Sequence, residues 1–150
     1  MNSWSMNFFQ HPNTLPLTDP EFISKGGGDP SAFFYISSWL IKPNEALLIT
    51  IRDFPKEHLW NFALFNYWFE SMDYINHTIH TNSKICTYNS DGSVTLVIAH
   101  TNPNTPNWLN TTGHGCGQMI MRAWTNGVIP ISPEVKLVSL NNLSQYYQQP

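Results

Sequence analysis

The sequence predicts an all-β domain, a β-sandwich, jelly roll or barrel. Three observations carry this: about seven short stretches rich in β-branched and aromatic residues, turn signals between them, and no long helical period. At 150 residues the chain has the length of one domain and buries roughly 70% of the surface of its unfolded form.

Residues 1–30 hold Pro12, Pro16, Pro20 and Pro30 with the run Gly26-Gly27-Gly28, which denies a regular element of any length and predicts an extended arm. The glycine run lacks the lysine and the strand-to-helix setting of a phosphate loop. From residue 31 to 143 a single sandwich domain is expected, and 144–150 form a loose tail. Within the domain, Phe33 to Leu40 and Glu45 to Arg52 read as strands joined by a Lys42-Pro43-Asn44 turn. Asp53 to His58 is a turn. Leu59 to Tyr67 alternates like a half-buried strand, although Leu59, Phe62, Leu64 and Phe65 also share a helical face, so both readings stand. Ile75 to Ser83 alternates again, Asn89-Ser90-Asp91-Gly92-Ser93 is a hairpin turn, and Val94 to His100 is the clearest strand. Gly117 to Trp124 alternates apolar and polar side chains, and a proline-marked strand from Pro130 to Val138 ends the domain.

Charged residues are only 11% of the chain, hydrophobic ones 41% and aromatics 14%. That leaves a neutral surface and aromatics to spare for a pocket or an interface. The formal net charge of −3, with two arginines and no basic run, excludes nucleic acid as the expected partner. No apolar run is long enough for a membrane span and no signal peptide is visible, so a cytoplasmic location is the default expectation. Cys86 and Cys116 allow one bridge; two reduced, packed thiols are expected. Asn76-His77-Thr78, Asn110-Thr111-Thr112 and Asn142-Leu143-Ser144 match the glycosylation acceptor pattern, which an asparagine-rich chain also produces by chance.

The Asn/Pro-rich loop from Ala99 to His114 is the first place to look for a site, because its two prolines and four asparagines oppose regular structure and loops on rigid scaffolds carry function. His100 and His114 flank it. They either tie down loop backbone, take part in binding or acid–base chemistry, or join His77 or His80 around a divalent metal. Three positions along a strand reverse the face, so only one of His77 and His80 could join them. No other cofactor is implied. Glu70 and Asp73 beside Tyr74 offer carboxylates for general acid or base work, against solvated carboxylates on a surface bend. Arg122 lies in a strand that otherwise reads as core and calls for a counter-charge, which Glu70 or Asp73 would supply. Asn107 and Trp108, with Tyr74, are candidates for stacking on a flat or sugar-like ligand, against plugging one end of the sandwich.

The blocks Leu59 to Tyr74, Asp91-Gly92-Ser93, Ala99-His100, Pro106-Asn107-Trp108-Leu109 and Thr112-Gly113-His114 resemble the family known as domain of unknown function 1214, over about residues 30–140 and in the family's order. The resemblance implies a jelly-roll-like antiparallel β-sandwich that usually follows a second domain of unknown function, numbered 1254, in longer bacterial proteins. It implies no activity. Against that pattern a stand-alone form without the preceding domain is the expectation, and the segment after Gly113-His114 reads Gly115-Cys116-Gly117 where a charged residue is expected. The leading expectation is a non-catalytic or accessory module that binds a partner subunit, by self-assembly, or a small ligand. The alternative is an enzyme, with or without a metal, whose site gathers His100, His114, Glu70, Asp73 and Arg122.

Overall fold

The structure, a computed structural model, describes residues 9–146; the first part of the expected arm and residues 147–150 lie outside the described residues. Eight strands follow a short helix α1 (Pro20–Lys25): β1 (Phe33–Leu40), β2 (Glu45–Ile51), β3 (Leu59–Phe65), β4 (His80–Asn82), β5 (Val94–Ala99), β6 (Trp108–Asn110), β7 (Cys116–Trp124) and β8 (Glu134–Ser139). A 3-10 turn at Leu140–Asn142 and a helical turn α2 (Leu143–Tyr146) close the described chain. One sheet has the order β1-β7-β3-β4 and the other β6-β5-β2-β8, so the molecule is an all-β sandwich. Every pairing is antiparallel except β5 with β6, which is parallel.

Alternation explains which side chains fill the space between the sheets. Tyr35, Trp39, Leu47, Ile49, Trp60, Phe62, Leu64, Leu96, Ile98, Met119 and Met121 face inward and form one cluster. Trp39 is fully buried, and its indole nitrogen donates to the Gln118 carbonyl at 3.1 Å. The outer faces are also covered. Ile23 of α1 seals Phe34, Ile36 and Ile120 on one sheet, and Leu143 of α2 joins Leu48, Val97 and Val138 on the other.

The arm wraps the domain along the free edge of β1. Asn13 clamps Leu40 through both its side-chain oxygen and nitrogen, at 2.9 and 2.8 Å, and Thr18 donates to the Phe34 carbonyl at 2.7 Å. Covering an edge in this way prevents it from pairing with another chain.

Several expectations are corrected. The arm does contain a regular element, because Asp19 caps α1 by accepting from the Glu21 amide and Pro20 occupies the first helical turn, where its missing N–H costs nothing. Within the Asn/Pro loop, Trp108–Asn110 forms β6, since three residues of parallel pairing to β5 need no long apolar run. The strand expected over Ile75–Ser83 is confined to β4. The helical reading of Leu59–Tyr67 gives way to β3. The Asn89–Ser93 turn forms, with the Asn89 amide on the Ser93 carbonyl at 2.8 Å, but it leads between sheets rather than between hairpin partners. After the buried Leu143, residues 144–146 complete the helical turn α2 with exposed side chains, and the rest of the expected tail lies outside the described residues.

Candidate functional site

The strand directions bring the 41–44 turn, the 66–79 loop, the residues just after β5 and the 111–115 loop to one end of the sandwich. Glu70, Asp73, Tyr74, His100 and His114 are therefore end-loop residues. Arg122, Asn107 and Trp108 are not.

His100 is held at both ring nitrogens. Nε2 lies 3.2 Å from the Ile41 carbonyl, which can only accept, so Nε2 carries the proton. Nδ1 lies 2.7 Å from the fully buried Thr111 hydroxyl and, in the tautomer with its proton on Nε2, accepts from it. The imidazole thus ties β5 to the 41–44 turn and to the segment after β6. His114 is exposed; its backbone amide closes a turn onto the Thr111 carbonyl at 3.0 Å. Among the described residues no three His, Cys, Asp or Glu side chains come together as a metal-ligand set.

The 66–79 loop is stitched to the 110–112 segment. The Asn110 amide nitrogen donates to the Thr78 carbonyl at 2.8 Å, its side chain donates to His77 Nδ1 at 3.2 Å, and the Thr112 hydroxyl meets Met72 Sδ at 3.2 Å. Asp73 accepts from the Asn76 side chain at 2.8 Å and from the Asn76 and Ile75 amides at 3.1 Å each. Those Asn76 bonds, aided by nearby His77, hold its carboxyl below the usual range. Asp73 is thus an ionised orienting group rather than a proton carrier at neutral pH. Glu70 is clamped by Asn66, whose side chain donates to the Glu70 carboxylate at 2.8 Å and accepts from its amide at 2.9 Å.

Asn107 and Trp108 are spent on the fold. Asn107 adopts a left-handed φ of 54°, accepts from the Thr87 amide at 2.8 Å and donates to the Thr87 and Thr95 carbonyls at 2.8 and 3.2 Å. The Trp108 indole donates to the Ala99 carbonyl at 3.1 Å and packs on the outer-face cluster of Val97 and Leu48.

The ion pair expected for Arg122 is absent. On β7, alternation turns Met119, Met121 and Ala123 inward and Arg122 outward, opposite Phe34 on β1 and Asn61 on β3, with no ion pair to Glu70 or Asp73. Its guanidinium lies 5.8 Å over the Phe34 ring. The ion pairs among the described residues are Lys25–Glu21, Arg52–Asp91 and Arg52–Glu134. Cys86 and Cys116 are free thiols, and burial pushes the Cys86 thiol up.

Sequence reading missed Trp68 and Ile75, which are 64% and 81% exposed beside Tyr74 at 63%. The signal was the aromatic run Phe65 to Phe69, which continues past the end of β3. Two clefts lie on the outer face of the β1-β7 sheet, on either side of α1. One of about 810 Å³ is walled by Pro20, Phe33, Phe34 and Trp124, and one of about 160 Å³ by Phe34, Ile36, Phe69 and Arg122.

An all-β sandwich with a loop-built end and a covered outer sheet face defines the class of the protein. The chain belongs to the family described as protein of unknown function (DUF1214), whose model matches residues 42–126, more than half of it. It is similar to an uncharacterized protein of Burkholderia cenocepacia of known structure, with 37% identity and a TM-score of 0.86 over 92% of this chain. A Vibrio parahaemolyticus protein shares the fold at 14% identity and a TM-score of 0.61 over 79% of the chain. The chain spans 38% and 33% of the length of those two proteins. No curated protein matches it. No helix among the described residues is long and apolar enough to cross a membrane.

Proposed function

We propose that the domain is a non-catalytic module whose loop end binds a second protein surface, in the first instance another copy of itself. One observation carries this reading. At that end the polar candidates His100, Asp73 and Glu70 are engaged by neighbouring backbone and amide groups, while Trp68, Tyr74 and Ile75 project into solvent from the same loop. Fixed polar groups around exposed aromatic and aliphatic side chains match the anatomy of a protein interface rather than of a reacting centre. The companion domain implied by the family resemblance is the other occupant such a surface would suit.

The enzyme reading draws on one feature, the closeness of Asp73 to His77, whose Nδ1 is already occupied by Asn110. With Asp73 held ionised and His77 hydrogen-bonded, the pair supplies orientation and no free base at Nδ1.

Sedimentation equilibrium of the whole chain tests the proposal. The wild type is expected to associate reversibly, and the Tyr74→Ser/Ile75→Ser double variant to stay monomeric with an unchanged circular dichroism spectrum. A wild type that remains monomeric at high micromolar concentration would overturn self-assembly.

A further inference from the structure

The outer face of the β1-β7 sheet presents a cation with no anion. All ten acidic side chains of the chain fall within the described residues, and none comes within ion-pairing distance of Arg122. The Arg122 guanidinium, with five N–H donors, has the Phe34 ring as its partner and no hydrogen bond among the described residues. The nitrogens of this half-buried side chain stay open to solvent, so its fork of donors is available to a carboxylate held in two-point contact.

The cleft beside it has a defined size and wall. An open cleft of about 160 Å³ is lined by Ile23, Phe34, Ile36, Phe69 and Ile120, with the glycine run along one side. A cavity of roughly 150 Å³ lined by such side chains accommodates a benzene-sized body. The glycine run is needed for shape: a side chain at Gly28 would collide with Ile23 Cγ2. Its amides are already bonded to the Phe22, Ile23 and Ser24 carbonyls, so the charge recognition falls to Arg122. Phe69 is held at a left-handed φ of 69°, a costly conformation for a bulky residue, with its amide on the Asn66 carbonyl at 3.1 Å. There its ring stacks on Phe65 at 4.9 Å while forming the cleft wall.

We infer that this cleft is a binding site for a small aromatic monocarboxylate, its ring between Phe69 and Ile120 and its carboxylate on the Arg122 guanidinium. The site shares Phe69 with the 66–79 loop but takes its charge contact from Arg122 on the sheet face, so its test does not depend on self-association. Neither part of the ligand suffices alone: the walls give an acetate nothing to hold, and an uncharged ring leaves the guanidinium unmatched.

Sodium benzoate is the probe, titrated into the ¹⁵N-labelled whole chain and followed by the Arg122 Nε–H resonance and the Ile120 and Phe69 amides. Benzamide and sodium acetate serve as the uncharged and ringless controls. Saturable shifts are expected with benzoate, weakening by about ten- to a hundredfold with benzamide or in Arg122→Gln, as the loss of a charge-assisted two-point contact requires. Arg122→Lys keeps the charge without the fork and falls between. Ile120→Trp, which fills the cleft, abolishes the shifts; the unchanged amide spectrum of each variant shows that it is folded. Benzoate binding that is equal in Arg122→Gln and wild type, or no saturable shift in the wild type, overturns the inference.

Discussion

Replacing His100 by alanine tests the claim that this histidine is structural. The substitution removes the donor to the Ile41 carbonyl and the acceptor for the Thr111 hydroxyl, and both of those residues are buried, at 3% and 0% exposure. Each group left without a partner costs about 1–3 kcal/mol, so the loss is roughly 2–5 kcal/mol after partial relaxation. For a domain of this size a change of that order lowers the unfolding midpoint by about 5–15 °C. Thermal unfolding followed by circular dichroism measures it directly. His114→Ala is the control: its ring is exposed, and its midpoint should stay within the range of an ordinary surface change, about 0.5 kcal/mol. Thr111→Val completes a double-mutant cycle with His100→Ala, and a coupling of about 1 kcal/mol is expected from the shared bond. A His100→Ala protein that melts with the wild type would refute the reasoning and return the imidazole to the list of free functional groups.

Three further outcomes follow from the same geometry. Gly117→Ala should destabilise by roughly 3 kcal/mol, the upper range for overpacking, because the added carbon meets the Phe65 carbonyl oxygen and the Trp39 ring; chemical denaturation would show it as a lower midpoint at constant slope. Asn107→Gly keeps the left-handed backbone but loses three hydrogen bonds, and should cost about 2–3 kcal/mol, with Asn107→Ala worse by the added strain; equal stabilities for the two would contradict the role given to φ. Tyr35 is buried with its hydroxyl on the Pro130 carbonyl at 2.9 Å, and burial pushes its pKa from 10.0 up to about 12. Its folded value lies above its unfolded one, so its contribution to stability is intact below pH 10 and is lost as pH rises towards 12. Ultraviolet titration should find one tyrosine ionising last in the native protein, and Tyr35→Phe should remove that component.

The strands were legible where burial and residue type agree. Phe33 to Leu40 and Val94 to Ala99 are rich in β-branched and aromatic residues, and most of their side chains are buried on two faces by the sandwich core and the α1 or α2 covering. Short elements were lost to stronger local signals. The Asp19-Pro20 helix start lay in plain view but was outweighed by the surrounding prolines and glycines, and β6 is three residues long between turn formers. The site was harder to read for a different reason: its bonds run between distant segments. Asn107 meets Thr87 across 20 positions and His100 meets Ile41 across 59, so nothing local distinguishes a structural amide or imidazole from a free one. For Arg122 the alternation of Met119, Met121 and Ala123 carries its outward orientation, but the expected counter-charge from Glu70 or Asp73 does not form, and its guanidinium lies over the Phe34 ring instead. The exposure of Trp68, Tyr74 and Ile75 depends on how far the 66–79 loop extends past β3, a tertiary fact that the aromatic run by itself does not reveal.

Hydrogen–deuterium exchange of the whole chain at low and high protein concentration tests the loop-end surface most directly. Exchange over residues 66–79 is predicted to slow as concentration rises, with β2 and β5 unchanged, and to lose that dependence in Tyr74→Ser/Ile75→Ser. Protection that is independent of concentration in the wild type, or that appears only on another face, would contradict the proposed interface.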